Sequence, residues 1–325
     1  MTRLITEWLE TDRKEIVAYG ASVEALTGVT PAKLAASAAA RLETDAEKLK
    51  TTERKVNSEN PTSGNQIAEG QRAENQASGN QSAERQTTEN QASGNQTAES
   101  HEPFGTDSVV IRAAVVRVTA GLGVIDGFSD SLCALLAWLG ADVIVPAGTD
   151  VDGIYRAAEA GADIIFLADD DRFICMNLKS GTLSENNEAT AYGYAEALNL
   201  MAGGLQGEEV LLIGFGAVGR CALKALKGLG ASVTIHDKNA SIQEQAAHEA
   251  DAVCGREAIG QYKLIFDATN EGGWLHTEDI HEEALISAPG LPLSLDAKAK
   301  EKYKDRIFSD VLQTGAAVML CRALL

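Results

Sequence analysis

Residues 208–237 carry the clearest pattern of apolar and polar positions in the chain. An apolar run, VLLI, leads into a turn that contains Gly214, Gly216 and Gly219. An amphipathic stretch follows the turn, and a second apolar run ends at Asp237. Short apolar runs predict buried strands, and apolar residues at three- and four-residue steps predict a helix, so the pattern indicates a βαβ unit.

The pattern after Asp237 continues the alternation of helices and strands. A helix is predicted over about residues 241–249, and the apolar run in KLIFDATN predicts a strand that ends at residues 267–270. The segment LPLSLDAKAKEKYKDRIFSDVLQ predicts at least one last strand, and TGAAVMLCRALL predicts a closing helix. Residues 201–325 are therefore predicted to form a Rossmann-type domain.

Residues 108–200 show a second alternation of apolar strands and helices. The runs DSVVIRAAVV, ADVIVPAG and ADIIFLADD predict strands, and FSDSLCALLAWLG and TDVDGIYRAAEAG predict the helices between them. RFICMNLKSGTLSENN predicts two short strands around Ser180-Gly181, and a long helix over about residues 188–201 is expected to connect the two domains. Because strands alternate with helices, we expect a parallel sheet in a smaller α/β domain.

The N-terminal part of the chain has a helical pattern. Apolar residues recur at helical spacing between residues 6 and 41, and Thr30-Pro31 is typical of a helix start. Residues 1–50 are predicted to form an N-terminal helical segment. The predicted fold class is therefore α/β, with a Rossmann-type domain, a smaller α/β domain and this helical segment.

A tract of low complexity follows the helical segment. Between residues 57 and 103 the only large aliphatic residue is Ile67, and the phrase SGNQ recurs three times, at Ser63, Ser78 and Ser93. A tract with so little to bury cannot offset the entropy lost when its backbone is ordered. Residues 51–107 are therefore predicted to be a disordered linker, with self-association through Asn and Gln as the alternative.

Composition and charge narrow the class of protein. The chain has 325 residues, of which 45% are hydrophobic, as is ordinary for a globular protein. Its 47 acidic against 28 basic residues, a net charge of -19, disfavour binding to nucleic acid or to an anionic membrane. The five cysteines form no C-x-x-C pair, so we expect reduced thiols and a cytoplasmic protein. Neither a signal peptide nor a membrane span is expected.

The glycine turn of residues 214–219 has the G-x-G-x-x-G spacing of dinucleotide-binding folds. Its glycines permit a tight turn, a close approach of a pyrophosphate and close packing of helix on strand. A carboxylate at Asp237 can accept hydrogen bonds from the adenosine ribose and would repel a 2′-phosphate, so NAD is the predicted cofactor. The expected cofactor-binding residues are Gly214, Phe215, Gly216, Ala217, Val218, Asp237, Lys238, Asp267, Ala268, Thr269 and Asn270.

The smaller domain is expected to bind a small-molecule substrate. Ser129 and Ser131 surround Asp130 at a helix start, where hydroxyls and free amides could hold a carboxylate; N-capping by Ser129 or Asp130 is the alternative. The three carboxylates of residues 169–171 follow a buried strand and would suit a substrate ammonium group. A solvated loop or a metal site is the alternative, although no His or Cys lies nearby in the sequence to complete a transition-metal set. Asn187, after Asn186, could contact the substrate or cap the next helix.

Several of these motifs together resemble the pyrrolysine synthase family. The segments that carry the resemblance are GVIDGFSDSL, IIFLADDDRF, the Asn186-Asn187 pair, LLIGFGAVG, FDATN and TGAAVML. The resemblance runs through residues 108–325 and extends to the N-terminal helix, and only the repeat tract is foreign to it. It implies an NAD-dependent enzyme that oxidises the terminal amine of 3-methyl-D-ornithyl-N6-L-lysine. The resulting imine is captured within the molecule, ammonia is lost, and the pyrroline ring closes.

The resemblance also implies which residues contact the substrate. They are Leu4, Ser129, Ser131, Asp169 or Asp170, and Asn187. Near the C-terminus the family pattern has a glutamate before a run of glycine and small residues, and this chain has Gln313 there. Our hypothesis is that Asp169 or Asp170 orients the reacting ammonium while the hydride moves to NAD.

Two other functions are open at this point. The chain could be another amine or amino-acid dehydrogenase, or a non-catalytic NAD-responsive module whose Asn- and Gln-rich arm recruits a partner. The small residues of the closing helix suit packing across the cleft or against another subunit, which leaves a homodimer open.

Overall fold

A computed structural model of the chain describes residues 13–59, 110–119 and 127–325. The expected substrate contact Leu4 and residues 60–107 of the expected linker lie outside the described residues. The contacts divide the chain into two compact units, Met1–Lys48 with Pro103–Leu325, and Leu49–Glu102. Of the second unit, only the helical residues 49–59 are described.

Two helices open the described part of the chain, α1 (Arg13–Thr27) and α2 (Pro31–Glu59). The predicted helix start at Thr30-Pro31 is confirmed. The second helix runs past residue 50, where the helical segment was predicted to end, so residues 51–59 of the expected linker are helical. These residues include the strong helix formers Glu, Arg and Lys. Its buried positions follow helical spacing and are Pro31, Leu34, Ala35, Ala38, Ala39 and Leu42.

The first α/β layer is a five-stranded sheet with mixed strand directions. Its elements are β1 (Arg112–Val116), α3 (Phe128–Trp138), β2 (Asp142–Ile144), α4 (Asp150–Glu159), β3 (Ile164–Ala168), β4 (Phe173–Asn177) and β5 (Leu183–Glu185). The strand order is β2-β1-β3-β4-β5. The first three strands are parallel, as predicted, but β4 and β5 pair antiparallel. The expectation of an all-parallel sheet is wrong here because short turns, and no crossover helices, join β3 to β4 and β4 to β5.

The second layer begins with the long helix α5 (Asn186–Ala202) and contains a six-stranded parallel sheet. Its other elements are β6 (Glu209–Ile213), α6 (Ala217–Gly228), β7 (Ser232–His236), α7 (Ala240–Ala246), β8 (Ala252–Val253), β9 (Leu264–Asp267), β10 (Leu285–Ser287), α8 (Ala297–Tyr303), β11 (Ile307–Phe308) and α9 (Gln313–Leu324). The strand order β11-β10-β9-β6-β7-β8 is that of a Rossmann fold, in which the first strand is central and the order reverses beside it. The predicted α/β fold class is confirmed.

Helices α5 and α9 are packed together in the core that both sheets share. One apolar cluster includes Val115 and Phe166 of the five-stranded sheet and Leu212 and Phe266 of the six-stranded sheet, together with residues of α5 and α9. The two helices approach closely at Gly193, where an added Cβ would lie 2.6 Å from Cγ2 of Thr314. Among the described helices, none is both long and apolar enough to cross a membrane.

Candidate active site

The glycine turn after β6 has the geometry that its spacing predicts. Gly214 has a φ of 86°, a left-handed conformation that favours glycine, and its amide donates to the carbonyl of His236 at 2.8 Å. A Cβ on Gly219 would lie 2.1 Å from the carbonyl oxygen of Gly214, so α6 packs directly on the turn. A Cβ on Gly216 would meet nothing within 4 Å among the described residues, so this side of the turn is open to a ligand. The turn and the positive end of α6 therefore fit a pyrophosphate.

Asp237 stands at the end of β7 and faces this turn. Its Oδ2 atom accepts the amide of Phe215 at 2.8 Å, and its Oδ1 atom accepts the amide of Asn239 at 2.8 Å. The carboxylate also lines the cavity that the glycine turn opens onto. Asp237 is thus held in place by backbone amides at the position where a ribose would lie.

That cavity has a volume of about 540 Å³. It lies at the carboxyl ends of β6, β7 and β9, where the strand order reverses and where open α/β sheets bind ligands. Nine of the expected cofactor-binding residues line it, namely Gly214, Gly216, Ala217, Val218, Asp237, Lys238, Ala268, Thr269 and Asn270.

The other two expected cofactor-binding residues, Phe215 and Asp267, have buried side chains that do not line the cavity. Phe215 is in the core, and the guanidinium of Arg220 lies 4.4 Å from the centre of its ring. Asp267 is 1% exposed, and it accepts the hydroxyl of Ser294 and the hydroxyl of Thr269, the latter at 2.7 Å. Burial raises the pKa of Asp267 above its usual value, and these hydrogen bonds offset only part of the rise. Asp267 therefore acts on the cavity by orienting Thr269.

Five polar, aromatic or glycine residues of the cavity wall were not anticipated from the sequence: His236, Arg256, Glu271, Trp274 and Gly290. The guanidinium of Arg256 lies 5.1 Å from the ring centroid of Trp274 and donates to the carbonyl of Trp274 at 2.9 Å. Lys238 and Glu271 form an ion pair. The strand before Arg256 is only two residues long, too short for its apolar pattern to mark the loop as a strand end.

A smaller cavity of about 210 Å³ adjoins the large one. Val218 lines both cavities, and Gly290 of the large cavity stands between Pro289 and Leu291 of the small one. The remaining walls of the small cavity come from α5, from the segment before α9 and from α9 itself, through Asn186, Thr190, Tyr194, Asp310, Val311, Leu312 and Gly315. Nothing in the sequence pattern distinguishes Asp310 as a cavity residue.

Three of the expected substrate-binding elements meet at one edge of the five-stranded sheet. In the strand register Val116 pairs with Leu167, Leu167 with Ile174, and Ile174 with Glu185, so the ends of β1, β3 and β5 lie side by side. The rings of Phe128 and Phe173 are 5.3 Å apart, which brings the first turn of α3 to the same edge. Ser129 and Ser131, the acidic turn of residues 169–171, and Asn187 are therefore neighbouring parts of the fold.

Neither Ser129 nor Asp130 is the N-cap residue of α3. The helix begins after Gly127, which is the N-cap residue and has a left-handed φ of 82°. The amide of Ser131 donates to the carbonyl of Gly127 at 2.9 Å. Both serines lie inside the first turn, where a cap residue does not belong.

The acidic turn of residues 169–171 joins β3 to β4 and is exposed. Oδ1 of Asp169 accepts the amides of Asp171 at 2.9 Å and Arg172 at 2.7 Å, and these hydrogen bonds hold the pKa of Asp169 below its usual value. Neither Asp169 nor Asp170 is among the residues that line the two cavities. Asp169 thus shapes the turn itself.

The side chains of Asn187 and Gln313 are held by hydrogen bonds within the chain. The side-chain amide of Asn187 donates to Oε1 of Glu185 at 2.8 Å. Glu185 is the N-cap of α5, so the alternative that Asn186-Asn187 only caps this helix is wrong. Gln313 is 7% exposed, and its Oε1 atom accepts the amides of Val311 at 3.1 Å and Leu312 at 2.9 Å. Gln313 therefore stabilises the turn before α9.

Two family models match the chain. One is described as pyrrolysine biosynthesis protein PylD, N-terminal domain, and matches residues 66–184. The other is described as alanine dehydrogenase/PNT, C-terminal domain, and matches residues 190–282.

Solved structures and curated proteins are also similar to the chain. Shikimate 5-dehydrogenase of Thermus thermophilus, solved with shikimate, has 19% identity and a TM-score of 0.46 over 66% of this chain and 94% of its own. Pyrrolysine synthase of Methanosarcina acetivorans is 31% identical over 218 residues, which are 67% of this chain and 84% of that relative. The enzyme of that name from Methanosarcina barkeri is 31% identical over 67% of this chain and 82% of its own. With this identity over most of the relatives' length, the chain belongs to the pyrrolysine synthase family.

Proposed function

We propose that this chain catalyses the last step of pyrrolysine biosynthesis. In this proposal an NAD-dependent dehydrogenase oxidises the terminal amine of 3-methyl-D-ornithyl-N6-L-lysine, and the product cyclises to L-pyrrolysine with release of ammonia. The family membership supports a biosynthetic oxidoreductase that acts on a small molecule. The match of residues 190–282 to a dehydrogenase domain supports a nicotinamide cofactor.

The observation that carries the proposal is the glycine turn beside Asp237 at the 540 Å³ cavity. When bound there, NAD supplies the acceptor for a hydride. Amides at the start of α6 would hold its pyrophosphate, and Asp237 would accept hydrogen bonds from its adenosine ribose. A 2′-phosphate would meet the carboxylate of Asp237, which favours NAD over NADP.

The chemistry requires an amine carbon to be held beside the cofactor. A C–H bond of the terminal carbon breaks as hydride leaves, the amine becomes an imine and a proton is released. The second amine of the ornithyl group then forms a bond to the same carbon, and the original nitrogen leaves as ammonia. The protein's part is to orient the substrate and to exclude enough water for ring closure to precede hydrolysis.

The acidic turn is proposed to help bind the positively charged substrate. Asp169 and Asp170 lie at the sheet edge where the elements expected to bind the substrate meet. Replacing them with Ala, singly and together, should lower turnover with the isopeptide strongly and leave the Kd for NAD nearly unchanged. The control is Asp305→Ala, which removes an exposed carboxylate elsewhere on the chain. Unchanged turnover in all three variants would remove the acidic turn from the mechanism.

Steady-state reduction of NAD with the synthetic isopeptide tests the function directly. We expect one NADH and one ammonia for each pyrrolysine, with the product identified by mass spectrometry. Lysine, ornithine and alanine should give little NADH. A clear preference for one of those amino acids would instead identify another amine dehydrogenase, and no NADH with any of them would argue for a non-catalytic role.

A further inference from the structure

Asp310 carries a buried carboxylate oxygen without a hydrogen-bond partner. The residue lies between β11 and α9 and lines the 210 Å³ cavity. Its Oδ2 atom is buried and accepts no hydrogen bond from the residues that the structure describes. A buried acceptor without a partner destabilises the folded protein, more so when it is charged, so such a group calls for an explanation.

The surroundings of Asp310 hold it rigidly but supply only neutral hydrogen bonds. Tyr194 accepts the amide of Asp310 at 2.8 Å and donates to its carbonyl at 3.1 Å. Oδ1 accepts the amide of Thr314 at 3.2 Å. Burial raises the pKa of Asp310 above its usual value, and hydrogen bonds from Thr314, Tyr194 and the amide of Gln313 offset only part of the rise. The carboxylate is therefore held in one orientation, and Oδ2 has no donor among the described residues.

The small cavity lined by Asp310 lies next to the proposed cofactor site. Val218 belongs to the first turn of α6 and lines both cavities. A ligand in the small cavity would therefore lie next to a dinucleotide bound at the glycine turn. The acidic turn of residues 169–171 lines neither cavity, and the Oε1 atom of Gln313 is used by backbone amides.

We infer that Asp310 is the carboxylate that binds the reacting ammonium group of the substrate, in the small cavity next to the proposed dinucleotide site. This inference rests on the proposed function. An ammonium group provides the donor that Oδ2 lacks, and its charge offsets the desolvation of the carboxylate.

Asp310→Asn tests the charge without removing the acceptor that Thr314 uses, because asparagine keeps a side-chain oxygen. Calorimetry measures two Kd values for the protein saturated with NADH. One is for the isopeptide, and the other is for an analogue that lacks the terminal amine. The wild type should prefer the isopeptide by about 10- to 100-fold, the range of a charge-assisted hydrogen bond. Asp310→Asn should lose most of this preference and most of its turnover. The control Asp305→Asn changes an exposed carboxylate near the same segment and should behave as the wild type.

A second probe separates this inference from the proposed function. Pentylammonium carries only the ammonium group and an alkyl chain, and its binding should be weakened by Asp310→Asn and not by Asp305→Asn. If the wild type ignores the isopeptide but binds pentylammonium in this way, the proposed function fails and the subsite stands. If the isopeptide is turned over equally by wild type and Asp310→Asn, or if neither probe shows binding that depends on Asp310, the inference is overturned.

Discussion

Asp237 shows how one residue can serve both the protein and a ligand. Its Oδ2 atom holds the amide of Phe215 in the turn, and the same carboxylate lines the large cavity. A hydrogen-bonded carboxylate at this point would repel a 2′-phosphate because like charges repel, which is the reason that we propose NAD as the cofactor.

Asp237→Ser should therefore weaken NAD binding by about 10- to 100-fold and narrow the preference for NAD over NADP. Trp274 lines the cavity, so its fluorescence is a suitable measure of both affinities. Glu244→Ser, an exposed change on α7, is the control. An unchanged Kd for NAD in Asp237→Ser would show that the ribose does not lie against this carboxylate.

Gly216 and Gly219 make a matched pair in the same turn. A Cβ on Gly219 would lie 2.1 Å from a backbone oxygen, whereas a Cβ on Gly216 would point into the open side of the turn. Gly219→Ala should lower both Tm and NAD affinity, with a stability loss of about 1–3 kcal/mol or more from overpacking. Gly216→Ala should keep a Tm near that of the wild type and still lose NAD affinity.

Thermal unfolding and NAD titration of both variants measure this difference. If Gly216→Ala lowered Tm as much as Gly219→Ala, the conclusion that Gly216 faces the open side of the turn would be wrong. Undiminished NAD affinity in Gly216→Ala would place the pyrophosphate elsewhere.

At the scale of elements, the contact between α5 and α9 holds the small cavity together. These helices carry Tyr194, which anchors Asp310, and Thr314, whose hydroxyl lies 3.1 Å from that of Tyr19 in α1. Small residues allow the close approach: a Cβ on Gly315 would lie 2.5 Å from Oγ1 of Thr190. A change in the spacing of the two helices should therefore affect the site as well as the core.

Gly193→Ala places a methyl group 2.6 Å from Cγ2 of Thr314. We expect a loss of about 1–3 kcal/mol, and each kcal/mol should lower Tm by only about 1–2 °C because the entropy of unfolding grows with chain length. Thr314→Ser removes the Cγ2 methyl group and keeps the hydroxyl. The double variant Gly193→Ala with Thr314→Ser should therefore regain part of the lost stability. Denaturant unfolding of the single and double variants checks this, and an additive double variant would contradict direct contact.

At the scale of the whole molecule, the low-complexity tract is expected to be dispensable for folding and catalysis. Residues 57–103 contain almost nothing to bury, so they cannot add an apolar core. Replacing them with a short Gly-Ser linker should leave Tm and NAD reduction within about twofold of the full chain. Loss of a binding partner with activity intact would identify the tract as a recruiting arm, and loss of activity would contradict the prediction.

Much of the architecture could be predicted because it depends on local pattern. The apolar runs identified β6, β7 and β9, and the glycine spacing identified the turn that holds Gly214 in a left-handed conformation. The short strands β8 and β10 were missed because two or three residues carry too little periodicity to be recognised. The antiparallel direction of β4 and β5 was also missed, although the short turns before these strands leave no room for the crossover that a parallel pair needs.

The sequence alone determined the α/β class, the dinucleotide-type turn and Asp237, because neighbouring residues specify each of them. Only the tertiary structure could show that Asp267 is turned into the core, that Gln313 is used by its own backbone, and that Asp310 lines a cavity next to Val218. Burial and the lack of a partner are properties of the packed chain. They arise where α5, α6 and α9 converge from distant parts of the sequence, and no local pattern records them.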